Sequence, residues 1–270
     1  MQTLNELPHE LEIFRENIVD SLQQYNKLVC IPGEPSLFDS KLVGQPYWPQ
    51  VLRYPMDNDD KPMKLLAQIN FSDMPKLFPF PEQGILQIFL SVEDDFYGIN
   101  FDDLTKQNGF RVVYHDEPVI HLNQLVSVFS YLTLFDHSRF PVTREIKLGF
   151  EEAQEPISVE DYRAIEVFRR QSLQKRSVPS PVHTYKLRKL YNKLFPPNGH
   201  KIGGYPYFTL SDPRGIRKSY HCKDLLLMQI DSDPNKGICF GDRGTAHFFI
   251  SSKDLINRDF SNVLYNWDGH

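Results

Sequence analysis

The chain repeats itself, and the repeat limits what it can fold into. Gly44-Gln45-Pro46-Tyr47-Trp48 returns as Gly204-Tyr205-Pro206-Tyr207-Phe208, and Leu65-Leu66-Ala67-Gln68-Ile69-Asn70 returns as Leu226-Leu227-Met228-Gln229-Ile230-Asp231. Further along, Gly84-Ile85 matches Gly237-Ile238, and Asp103-Leu104…Tyr114 matches Asp254-Leu255…Tyr265. Four motifs in one order imply a structural unit used twice.

Within the first copy, proline and glycine clusters separate short runs that read as strands: Lys64–Asn70, Gly84–Val92 and Phe110–Tyr114. The second copy reads as strands over Leu225–Asp231, Gly237–Phe240 and His247–Ser251. Before the first copy, Leu11, Phe14, Ile18, Leu22 and Tyr25 recur at three and four residues and predict one amphipathic helix. Between the copies, Ser158 and Asp161 resemble a capping box for a helix carrying Tyr162, Ile165, Phe168 and Leu173. Leu187, Leu190, Tyr191 and Leu194 mark a second helix. The expected fold is β-rich α+β: two duplicated β units packed together with an N-terminal helix and linker helices. The parts are 1–40 N-terminal helix and lead-in, 41–117 first repeat, 118–200 helical linker and 201–270 second repeat. A unit of about 70 residues has a marginal core, so the two are expected to share one domain.

Nothing reads as a secretory leader or as an apolar stretch of membrane-spanning length, and Cys30, Cys222 and Cys239 make no disulfide framework. A cytoplasmic location is expected, with no membrane partner.

The motifs Lys201-Ile202-Gly203-Gly204-Tyr205-Pro206, Leu226 to Asp233, Gly241-Asp242-Arg243-Gly244 and Asn257-Arg258-Asp259-Phe260…Tyr265-Asn266-Trp267-Asp268 together resemble the YwqG-like family of uncharacterised bacterial proteins. The resemblance covers nearly the whole chain and implies a duplicated, β-rich cytoplasmic bacterial protein. It brings no activity with it. Where the family often has Gly-Asp-Ser-Gly and a terminal Trp-Asp-Cys-His, this chain has Arg243 and Gly269, so no role of that serine or cysteine carries over.

Charge is unevenly distributed. Arg169, Arg170, Lys175, Arg176, Lys186, Arg188, Lys189, Lys193 and Lys201 stand in a window without Asp or Glu; against a net charge of −5, the remainder carries −14. Such asymmetry fits an anion-binding surface, with Lys186, Arg188, Lys189 and Lys193 on one linker helix as candidates. Neutralisation by the chain's own acids, such as Glu93-Asp94-Asp95 or Glu151-Glu152, is the favoured reading, and nucleic acid is disfavoured.

The remaining candidates each have a structural reading beside the functional one. Asp231-Ser232-Asp233-Pro234-Asn235 has oxygen ligands at calcium-loop spacing, but the glycine is displaced and the flanks read as strands, so a tight turn is expected. His221-Cys222 with Cys239 lacks the paired spacing of a zinc site, so no metal or cofactor is expected. Tyr47, Trp48, Tyr207 and Phe208 are candidates to line a groove between the repeats, or else core anchors. The leading function is a non-enzymatic module binding a protein or a small molecule. The rival is a hydrolase for an anionic substrate, with Asp231, Asp233, Asp242 and His247 as catalytic candidates.

Overall fold

The structure, a computed structural model, describes residues 6–92, 94–130, 139–174 and 180–269. Its chief element is a ten-stranded antiparallel sheet in the order β10-β9-β8-β7-β1-β6-β2-β3-β4-β5. The strands are β1 (Gln23–Ile31), β2 (Lys41–Leu42), β3 (Lys64–Asn70), β4 (Ile85–Leu90), β5 (Phe110–His115), β6 (Ile146–Glu155), β7 (Lys201–Gly203), β8 (Leu225–Asp231), β9 (Thr245–Ile250) and β10 (Leu264–Asp268). Among the described residues the helices are α1 (His9–Glu12), α2 (Arg15–Asp20), α3 (Ala164–Gln174), α4 (Tyr185–Leu194), α5 (Pro213–Ile216) and α6 (Ser252–Ile256).

The order is a palindrome around the central pair β1·β6, which runs from Gln23↔Glu155 to Ile31↔Lys147. On one side lie β2 to β5 and on the other β7 to β10, each a four-strand meander with the same register. Lys41 pairs with Gln68 and Lys201 with Gln229. A bulge interrupts β3 between Leu65 and Ala67, and β8 between Leu226 and Met228. An extra residue on one strand sharpens the local twist, so each meander curls at the same place.

Buried glutamines fasten both meanders alike. Gln68 Oε1 accepts the N–H of Tyr47 (2.9 Å), and its Nε2 donates to the carbonyls of Leu37 and Asp39 (2.9 and 3.0 Å). Gln229 does the same for Tyr207 N–H (2.8 Å) and the carbonyls of Pro197 and Gly199 (3.2 and 2.9 Å). Beside Gln68, Gln87 Nε2 donates to Tyr47 O (2.7 Å); beside Gln229, His247 Nε2 takes the same part toward Tyr207 O.

The sheet curls until its edges nearly meet. Phe110 on β5 packs on Tyr265 of β10 with ring centroids 5.1 Å apart. Gln107 spans the seam, accepting from Val112 N–H and donating to Phe260 O, both at 2.7 Å. Tyr265 N–H donates to Leu104 O (2.9 Å). One interior cluster thereby draws on both meanders, with Leu66, Ile69 and Ile88 beside Leu227, Ile230 and Phe248. The outer faces are covered separately: by the segments around Tyr47–Trp48 and Leu125–Phe129 over the first meander, and by Phe208 and Tyr220 over the second.

Several sequence expectations are corrected. The N-terminal apolar face is two short helices ending at Asp20, with Tyr25 on β1. Residues 118–200 are not simply helical, because they contain β6. Gly237–Phe240 forms a turn with isolated bridges, and the register matches Gly84 to Gly244: Phe71 N–H donates to Gly84 O and Ser232 N–H to Gly244 O. Tyr265 corresponds to Val112, since these face Phe248 and Ile88. Asp103-Leu104 lies in a turn, whereas Asp254-Leu255 lies in α6.

His247 is fully buried, and burial pulls its pKa down to about 3; His115, held at Gln87 Oε1, is lowered by burial to about 4. In the unfolded chain a histidine titrates near ~6.5. The unfolded state therefore binds more protons below that pH, and stability falls as pH drops from ~6.5 toward these values. By pH 5 each histidine costs about 2 kcal/mol. Because Gln87 fills the corresponding place, His247→Gln is expected to fold and to lose about 2 kcal/mol less than the native protein between pH 7 and pH 5. Urea unfolding at the two pH values measures this; an unchanged acid loss would contradict it.

Candidate functional site

The site follows from how the first meander begins. After β2, Val43 (φ 49) and Gly44 (φ +87) take left-handed conformations and turn the chain toward β6. A Cβ at Gly44 would stand 2.5 Å from Glu145 Oε1, so the turn and the glutamate pack closely. Lys64 opens β3 beside this turn. Ser127–Ser130 and Thr143–Glu145 supply the other walls of a pocket of about 640 Å³, a size typical of small-molecule sites. The second meander steadies one wall: Thr143 N–H donates to Gly237 O (3.0 Å), and Arg144 donates through Nε and Nη2 to Lys236 O and Asn235 O (2.9 and 2.6 Å).

Its lining carries Lys64, Arg144 and Glu145, and Lys41 lies buried on the neighbouring strand β2. Lys64 Nζ lies 4.5 Å over the Phe140 ring, and burial lowers its pKa. Among the described residues no carboxylate comes within ion-pair distance of it. Lys41, 1% exposed, donates to Ser36 O (2.8 Å) and Leu37 O (3.4 Å). Burial lowers its pKa to about 8, with Glu145 and Asp39 pulling the other way.

The corresponding place in the second meander is filled and neutralised. Lys201 donates to both oxygens of Glu155 (2.7 Å each) and to Tyr205 O (3.0 Å). Burial raises the Glu155 pKa against the pull of Lys201. Gly204 packs on Glu155 as Gly44 packs on Glu145. Tyr205 plugs the space and joins the cluster of Leu11, Phe14, Phe168, Leu187 and Tyr191 under the helices. Gln45, the counterpart of Tyr205, is exposed, and so is Glu145.

A second buried polar centre lies under α5. Arg214 is fully buried and donates to Asp212 Oδ2 (2.7 Å) and Asp161 Oδ2 (3.0 Å), with its guanidinium 4.0 Å from the Phe249 ring centroid. Burial tends to raise the Asp161 pKa, but Arg163 and Arg214 outweigh it and hold the carboxyl below its usual value. Every charge here is met from within the chain, which marks it as a tie between α3, α5 and β9.

A profile of a domain of unknown function, DUF1963, matches residues 40–269. The chain belongs to the DUF1963 family. No curated protein matches it. The DUF1963 region takes in all strands except β1 and contains the whole pocket, while α1 and α2 precede it.

The residues singled out from the DUF1963 sequence fall in several places. Tyr47, Trp48 and Phe208 are buried on the outer faces of the two meanders, and Tyr207 is partly buried; they anchor covering segments and do not meet in a groove. Asp231 accepts from Gly199 N–H, Ser232 N–H and Thr245 Oγ1 (2.9, 2.9 and 2.8 Å), and Asp233 pairs with Lys236 at 3.2 Å. Pro234–Lys236 makes a 3₁₀ turn closed by Gly237 at φ 71. Asp242 is exposed in the next turn, and His247 makes its contacts with Tyr207 and Phe208. Among the described residues no group of three or more His, Cys, Asp or Glu side chains is arranged to hold a metal. The pocket residues Lys64, Arg144 and Glu145 escape sequence reading because they come from separate segments and form no motif. The faint signal is a lysine at the head of an otherwise apolar strand.

Lys64 and Lys41 are expected to lose their protons below the envelope of solvent-exposed lysines. Reductive methylation with ¹³C-formaldehyde and NMR titration, assigned through Lys64→Met and Lys41→Met, measures this. Titration of Lys64 together with the surface lysines would contradict the pocket electrostatics.

Proposed function

We propose that the chain is an internally duplicated binding module whose first meander holds a small anion with an apolar body. The observation that carries this is Lys64: a half-buried cation with no carboxylate partner among the described residues, in a pocket walled by Val43, Val128 and Phe129. An unpaired charge away from water is costly, and an anionic ligand would relieve that cost while covering the apolar walls. The contrast between the halves supports the reading, since Tyr205 and the Lys201–Glu155 pair close the matching place. The hydrolase reading is weaker. Asp231 accepts from Gly199, Ser232 and Thr245, Asp233 pairs with Lys236, and His247 contacts a backbone carbonyl.

Thermal unfolding with octanoate, against octylamine as the cationic counterpart, tests the proposal. A ligand confined to the folded state stabilises by about 2.7 kcal/mol at a hundredfold excess over its Kd. Octanoate is expected to raise Tm and octylamine not. Lys64→Met should abolish the rise, and Lys253→Ala should keep it. No response to octanoate, or an equal response in Lys64→Met, would overturn the proposal.

A further inference from the structure

The basic linker helix is not neutralised from within. Lys186, Arg188, Lys189 and Lys193 are exposed on α4, and no carboxylate among the described residues pairs with them. Two of the acids expected to meet them are engaged elsewhere: Glu151 with Lys27 at 3.5 Å, and Asp95 with Arg139. Lys201 and Arg169 do pair internally, with Glu155 and Glu166. The side chain of Arg170 and residues Lys175 and Arg176 lie outside the described residues, as does Glu93. The favoured expectation of internal neutralisation therefore fails for α4.

At ~100° per residue, Lys186, Lys189 and Lys193 fall within an arc of about 60° and rise along one edge over about 10 Å. Arg188 points away from this row and donates to Val182 O at 2.6 Å. Tyr185, 80% exposed, sits at the helix start beside the row. The opposite side of α4 is spent, because Leu187 and Tyr191 are buried with Phe168 and Leu11.

We propose that this edge of α4 docks single-stranded nucleic acid, with the three lysines on consecutive phosphates and Tyr185 stacking a base. Three features select this occupant. The row is narrow and linear, which suits one strand better than the face of a duplex. The strongly acidic remainder of the chain repels broad anionic surfaces, including a lipid headgroup layer. Lastly, α4 keeps no free apolar face to enter a bilayer, whereas an exposed tyrosine beside cations is the usual platform for a base.

The test is fluorescence anisotropy with a labelled oligo-dT strand from low to physiological salt. Binding is expected at low salt. The slope of log K against log salt should be near −2, as three phosphates at about −0.7 each require. Lys186/Lys189/Lys193→Ala should weaken binding at least tenfold. Arg53/Lys76/Lys253→Ala, which removes the same charge elsewhere, should leave it within twofold. Tyr185→Leu should weaken it severalfold at an unchanged slope. Absence of binding at low salt, equal loss in the two triple variants, or competition by polyglutamate or anionic vesicles as strong as by unlabelled oligo-dT would each overturn the proposal.

Discussion

Everything in this fold hangs on two buried glutamines. Gln68 and Gln229 lie mid-strand, fully buried, and each ties its strand to the segment before the meander's first strand and to the turn after it. A glutamine suits the task because one side chain offers both an acceptor and two donors. The peptide groups it meets belong to irregular chain crossing the sheet's outer face, where no ladder reaches them. A buried peptide group without a partner costs about 1–3 kcal/mol, so each glutamine fixes where the covering segments run and hence which aromatic side chains become core.

With the backbone fixed alike in both halves, the differences stand out. The second meander is finished as structure: Lys201 and Glu155 satisfy each other, Tyr205 fills the gap, and the Asp161–Arg214–Asp212 network ties α3 and α5 to the sheet. Such charges add little net stability once desolvation is counted, but removing one partner is costly. In the first meander Lys41 donates to the carbonyls of Ser36 and Leu37, Glu145 stands exposed, and Lys64 faces a cavity. This contrast, a matching frame sealed on one side and open on the other, is what the proposed site rests on.

The sequence showed the outer strands well. Leu65–Asn70 and Leu226–Asp231 lie in β3 and β8 because their side chains are buried on both faces, which leaves continuous apolar runs. The central pair was invisible for the converse reason. β6 is apolar at Ile146 and Leu148 but continues through Glu151, Glu152 and Gln154, and β1 carries Gln23, Gln24 and Lys27. These strands bury only Leu28, Ile146 and Leu148 in the interior cluster, with Cys30 and Phe150 packed partly against it, and the nine paired positions between them carry mostly polar side chains elsewhere. The pocket was hidden because distant segments compose it. The exposure of α4 depended on which acids other cations had already taken, which spacing along the chain does not reveal.

The central claim is that two equivalent glutamine clamps support one cooperative structure. Equilibrium unfolding of Gln68→Leu and Gln229→Leu tests it most directly. Each substitution strands three backbone groups, and each should lower stability by about 2–4 kcal/mol within a single transition. A substitution that is neutral at either position, or an unfolding curve that splits into two separate transitions, would contradict the account.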